Sequence, residues 1–116
     1  MTITRIGAGA RMSMAVTHGA TVYLAGQVAT KAAGRSVGEQ TAEILGSIDA
    51  LLAEAGSDKT KILSCNIWLA DIKTFAEMNA VWDKWVVPGH TPARATVEAK
   101  LAAPQYTVEI AAIAAR

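Results

Sequence analysis

The stretch Ile62-Leu63-Ser64-Cys65-Asn66-Ile67-Trp68-Leu69-Ala70 decides the fold, because it has strand character and stands between two helical segments. Leu63, Cys65, Ile67 and Leu69 alternate on one side; Ile62, Trp68 and Ala70 fall on the other. A strand apolar on both sides predicts cover on both faces. Before it, Ile44, Leu45, Ile48, Leu51, Leu52 and Ala55 recur at helical spacing, and Gly56 stands where a helix stops. After it, Ile72 to Val86 predicts a second helix. Phe75, Met78, Trp82 and Trp85 line one stripe of that helix, and Pro88-Gly89 ends it.

Working outward, Thr2 to Ile6, Met12 to Thr17 and Thr21 to Ala25 read as three strands. The last two form a hairpin around His18-Gly19-Ala20. Thr30 to Gly38 has little periodicity and reads as a loop. Ala93 to Ala99 and Tyr106 to Ala114 read as a pair of strands around a loop containing Pro104. The order β-β-β-α-β-α-β-β predicts one α+β domain over residues 1–116, a two-layer sandwich with a mixed sheet and both helices on one face. With 116 residues there is too little chain to cover the other face, so a second copy is expected there.

Composition narrows the function. Hydrophobic residues make up 52% of the chain and charged residues 18%, which excludes a disordered chain. Eleven Lys and Arg against ten Asp and Glu give a net charge of +1, and no basic stripe for nucleic acid appears. The single cysteine excludes an internal disulfide, and no Cys/His spacing resembles a metal site. Met1 to Arg11 has no basic segment followed by an apolar stretch, and no apolar run is long enough to span a bilayer. A cytoplasmic protein without metal, cofactor, membrane or nucleic-acid partner is expected.

Chemistry concentrates near the C-terminus. In Ala93 to Ala99, one side presents Arg94, Thr96 and Glu98. If the apolar sides of the last two strands share the core, these residues share the opposite face with Glu109. A hairpin register with Thr96 across from Glu109 puts Arg94 diagonally beside Glu109, about 7–8 Å away between backbones. Two readings stay open for this group. One is a structural salt bridge. The other is a small-carboxylate site, with Arg94 as a bidentate clamp and Glu109 handling a water. Cys65 has no charged neighbour along its strand to lower its pKa and reads as a buried structural thiol. Trp68, Trp82 and Trp85 read as core or subunit contacts.

The runs Thr91-Pro92-Ala93-Arg94-Ala95-Thr96-Val97-Glu98 and Tyr106-Thr107-Val108-Glu109-Ile110-Ala111-Ala112-Ile113-Ala114 resemble the C-terminal signature of the RidA/YjgF family. Ala25-Gly26-Gln27 and Phe75-Ala76-Glu77-Met78-Asn79 resemble two further family motifs, in the same order along the chain. The resemblance implies a chorismate-mutase-like fold and a homotrimer with ligand clefts between subunits. It implies cofactor-free hydrolysis of enamine/imine intermediates, such as 2-aminoacrylate, to 2-keto acid and ammonia. It assigns Arg94 to the substrate carboxylate, Glu109 to the attacking water, and Gly26 and Asn79 to the cleft. Met12, Ala25 and Thr96 stand where the archetype has tyrosine, serine and cysteine, so two hydroxyls are absent and a threonine hydroxyl replaces a thiol. The alternative function is a non-enzymatic trimer that binds small carboxylates and acts by sensing. Ribonuclease activity, also associated with the resemblance group, fits poorly with the near-neutral charge.

Overall fold

The computed structural model describes residues 1–116. Its elements are β1 (Ile3–Ile6), β2 (Ala15–His18), β3 (Thr21–Leu24), α1 (Val37–Glu54), β4 (Ile62–Leu69), α2 (Phe75–Trp85), β5 (Ala93–Glu98) and β6 (Val108–Ala115). Short 3-10 turns precede β4 at Lys59–Lys61 and α2 at Ile72–Thr74. The element order agrees with the sequence reading. Gly19, the first of two residues between β2 and β3, has φ +60°, the backbone that a tight hairpin demands. The strand expected from Met12 begins only at Ala15, because Gly7 turns at φ +62° and Gly9 N–H bonds the Met12 carbonyl at 2.8 Å. Helix α1 starts at Val37, within the expected loop. Ser36 caps it by accepting from the N–H of Glu39, and Gly56 at φ +79° follows its end.

All six strands form one sheet, in the order β1-β2-β3-β6-β4-β5. The expected hairpin between the last two strands is not formed. Strand β6 runs antiparallel between β3 and β4, and β5 lies outside β4, parallel to it. Arg94 pairs with Cys65 and Thr96 with Ile67, while Glu109 pairs with Trp68. Central antiparallel pairing buries β6 fully on its core side and satisfies both of its edges, which a terminal hairpin leaves half open.

One sheet face carries the core. Ala15, Val22, Leu24, Cys65, Ile67, Leu69, Val108, Ile110, Ala112 and Ala114 are buried there with Ile44, Leu45, Ile48 and Leu52 of α1 and Met78 and Trp82 of α2. A bulge between Ile62 and Ser64 shifts the alternation of β4. Ile62 therefore joins the core, and Leu63, expected on the same side as Cys65, is 55% exposed. The opposite face bears Ser64, Asn66 and Trp68 from β4, so its apolar character comes from Trp68 and from neighbours such as Tyr23, Ile113 and Val97, all exposed. No helix is long and apolar enough to cross a membrane.

Two buried polar residues, Gln40 through its side chain and Gln27 through its backbone, hold the elements that carry the candidate site. Gln40 donates to the carbonyls of Arg35 and Gln105 at 3.1 and 3.0 Å and accepts from the N–H of Thr107 at 3.0 Å, fixing the β5–β6 loop just before Glu109. The backbone of Gln27 exchanges two bonds with Ile110, at 2.8 and 3.1 Å, and so seats Gly26 beside Glu109.

Candidate functional site

Five charged side chains are half-buried: Glu43, Asp49, Lys59, Arg94 and Glu109. Glu43 accepts from the N–H of Ala32 at 2.7 Å, Asp49 from the indole N–H of Trp85 at 3.0 Å, and Lys59 donates to the Trp85 carbonyl at 2.8 Å. Arg94 has only the neutral amide of Asn79, whose Oδ1 accepts from Nη1 at 2.8 Å. Glu109 makes no hydrogen bond and no ion pair; the one salt bridge in the chain joins Arg35 and Glu39 on the surface. Leaving charges partly desolvated and unpaired costs free energy, and a ligand that completes them recovers it.

The structural salt bridge between Arg94 and Glu109 is excluded by the sheet. Side chains of paired residues share a face. Arg94 and Thr96 follow Cys65 and Ile67 toward the helix layer, while Glu109 follows Trp68 to the opposite face. The expectation that Arg94, Thr96, Glu98 and Glu109 share one face is therefore wrong. It took the polar side of β5 to be its outer side. On this edge strand the polar side turns inward because α2 and the turn before it receive it: the Arg94 guanidinium lies over the rings of Trp82 and Phe75, and Glu98 accepts from the N–H of Ile72 in that turn at 3.0 Å.

Two separate groups of residues result. The first holds Arg94, Asn79 and Thr96. The Thr96 hydroxyl is buried, two residues along the strand from Arg94, and has no partner. Burial pushes the thiol of Cys65, beside Arg94, up to about 12, against a smaller lowering by the guanidinium. It is a protonated core thiol, as the sequence indicates. The second group holds Glu109 and Gly26. Glu109 lines a cavity of about 240 Å³ with Trp68, Ala99, Lys100, Leu101 and Ala102. Gly26 packs against the carboxylate so closely that a Cβ there would sit 3.1 Å from its Cδ. Ala25 precedes Gly26 and bonds through its N–H to the Met14 carbonyl at 2.9 Å, which brings in the loop that carries Met12. Met12 is exposed on that loop and lines a wide, open depression of about 650 Å³ with Gly9, Ala10 and Arg11. That depression is larger than the Glu109 cavity, but Arg11 is its only charged group and no strand supports it.

The family model described as Endoribonuclease L-PSP matches residues 2–116. The chain belongs to the RidA/YjgF family. It is 50% identical to a RutC family protein of Haemophilus influenzae over 98% of each chain, and 50% identical to the RutC family protein YoaB of Escherichia coli over 99% of each. The crystal structure of a YjgF family protein from Neisseria meningitidis is 46% identical, with a TM-score of 0.96 over 100% of this chain and 96% of that one. This RidA/YjgF chain thus has the chorismate-mutase-like fold of its relatives.

Within the family frame, the structure gathers Arg94, Asn79 and Thr96 at one place and Glu109, Gly26 and Ala25 at another. Phe75 and Trp82 were read from sequence as an apolar stripe, and their contact with Arg94 was missed. The signal is present in the spacing: Asn79 lies four residues after Phe75 and three before Trp82, so all three share one helix face.

Proposed function

We propose that this RidA/YjgF chain hydrolyses enamine/imine intermediates of the 2-aminoacrylate type to 2-keto acid and ammonia. We assign it a homotrimer in which each cleft joins two copies. One copy supplies Arg94, Asn79 and Thr96, and the next supplies Glu109, Gly26, Ala25 and Met12. The observation that carries this reading is the pair of half-buried, unpaired charges held on opposite faces of one sheet. A second copy laid on the face that exposes Tyr23, Ile113 and Val97 covers that apolar surface and brings an arginine to a glutamate.

The chemistry follows from the groups. Arg94 holds the carboxylate through parallel hydrogen bonds. The enamine takes a proton at C3 and becomes the imine. Glu109 accepts a proton from water as the water oxygen bonds to C2, and the C=N electron pair moves to nitrogen, which is protonated. The carbinolamine then collapses: the C–N bond breaks, the nitrogen leaves as ammonia, and the hydroxyl proton is lost to give the 2-keto acid. Glu109 takes the proton from water and passes it to the nitrogen; the proton added at C3 comes from solvent and the one lost from the hydroxyl returns to it, so the protons balance and no electron acceptor is required.

The test measures ammonia and keto acid released from imines generated in situ from a panel of amino acids. Wild type accelerates release and Arg94→Ala does not. If wild type binds a 2-keto acid without accelerating any imine, the chain is a carboxylate-binding protein and the deaminase reading is wrong.

A further inference from the structure

We propose that Phe75 and Trp82 are positioning residues for Arg94, and that with Asn79 they fix the guanidinium so that its Nε–Nη2 edge receives the substrate carboxylate side-on. This rests on the reading of Arg94 as the carboxylate clamp. The Arg94 Cζ lies 5.0 Å from the ring centroid of Trp82 and 5.7 Å from that of Phe75. Both distances fall inside the range of about 6 Å in which a ring face attracts a cation. The Asn79 amide oxygen takes Nη1 at 2.8 Å, while Nη2 and Nε make no hydrogen bond and have no carboxylate within ion-pair distance. Nε and Nη2 share one edge of the guanidinium and point their N–H groups in parallel, whereas Nη1 lies on the side toward Cδ. The free edge is therefore a ready two-point donor for a carboxylate.

Aromatic partners suit this task better than an acidic one. A carboxylate from the protein would consume the donors and neutralise the charge that the substrate needs. Ring faces hold the cation and leave its N–H groups free. Trp82 is 6% exposed and braced by Trp85, with ring centroids 5.3 Å apart; Phe75 is 39% exposed at the rim. Phe75 can thus be changed with little loss from the core.

The test titrates pyruvate into the ¹⁵N-labelled protein and follows the Arg94 Nε–Hε resonance, assigned by its loss in Arg94→Lys. The expected result is a shift of that resonance on pyruvate binding. Phe75→Leu should weaken pyruvate binding and raise KM by roughly 3- to 30-fold, leave kcat within about twofold, and be rescued by Phe75→Tyr. A bound pyruvate that leaves the Nε–Hε resonance unmoved overturns the side-on geometry. Unchanged affinity in a folded Phe75→Leu overturns the positioning role. If Phe75→Leu fails to melt cooperatively, the comparison passes to Phe75→Met, with the same expectations. Wild type that binds no pyruvate removes the clamp reading itself, an outcome distinct from the other two.

Discussion

Gly26 and Glu109 are in contact so close that no side chain fits between them. An ideal Cβ on Gly26 stands 3.1 Å from the Glu109 Cδ and 3.3 Å from its Cγ, and meets Oε2 more closely still. The Gln27–Ile110 backbone bonds hold the two residues at this spacing. The glycine answers a need for room, since its φ is not among the positive values in the chain.

Gly26→Ala therefore displaces the carboxylate and leaves the fold standing, because the obstructing atoms belong to a flexible side chain. Stability should fall by about 1–3 kcal/mol at most, the usual cost of overpacking. Turnover of an imine should fall roughly 10²-fold, as expected for a reacting group moved by about 1 Å. Thermal melting and steady-state kinetics on the same preparation check both. Wild-type turnover in the alanine variant would show that the position of Glu109 does not matter.

Glu109→Gln separates hydrolysis from binding. An amide cannot take the water's proton, so kcat should drop by roughly 10²–10⁴-fold, the usual contribution of a general acid or base. Binding of a 2-keto acid, measured by calorimetry, should persist, because Arg94 and Asn79 sit in the other half-site. Turnover within a small factor of wild type would remove Glu109 from the chemistry.

The helices were legible because their signals are local. The Ile44-to-Ala55 spacing, the Gly56 stop and the Phe75-to-Trp85 stripe all lie within a few turns of the residues they govern, whereas the Ser36 cap, set in a stretch of little periodicity, was not read. The order of strands was not. Nothing in Tyr106 to Ala114 says that it crosses back between β3 and β4, and a hairpin with its nearest neighbour is the simpler inference from chain proximity. That error carried the next one, since the pairing sets which sides of β5 and β6 agree. The sequence singles out both Arg94 and Glu109 as candidates, while their placement on opposite faces depends on β4 standing between them. Leu63 was misplaced for a smaller reason: a bulge adds one residue to β4, and alternation cannot reveal it.

Cys65 yields a prediction about pH. Cys65 is 1% exposed, and burial raises the pKa of its thiol to about 12, from 9.0. The folded state thus holds the proton more tightly than the unfolded state. The resulting stability is complete below about pH 9 and is lost as pH rises from there toward 12, by up to about 1.4 kcal/mol per pH unit. Cys65→Ala should lose less stability than wild type between pH 9 and 10.5 in denaturant titrations, whatever its offset at pH 7. Native Cys65 should also resist iodoacetamide at pH 8 and react once the chain unfolds. Rapid alkylation of the native protein would contradict the buried, protonated thiol.

Mixing two inactive variants tests the cleft between copies. In Arg94→Ala the Glu109 half-site is intact, and in Glu109→Gln the Arg94 half-site is intact. Neither homogeneous assembly contains a complete cleft. After unfolding and refolding together at equal amounts, a cleft is complete when one copy supplies Arg94 and the next supplies Glu109. Random assembly makes that so for about a quarter of clefts, so activity should return to roughly 25% of wild type. Folding the variants separately and mixing them briefly should give much less, because subunits must exchange first. Within one copy β4 and the thickness of the sheet separate the two groups, and a site built inside a single copy would give no such recovery, because every chain in the mixture lacks one of them. Sedimentation equilibrium on the refolded mixture fixes the assembly in which the activity returns. A trimer with restored turnover supports the shared cleft, and a trimer with none sinks it.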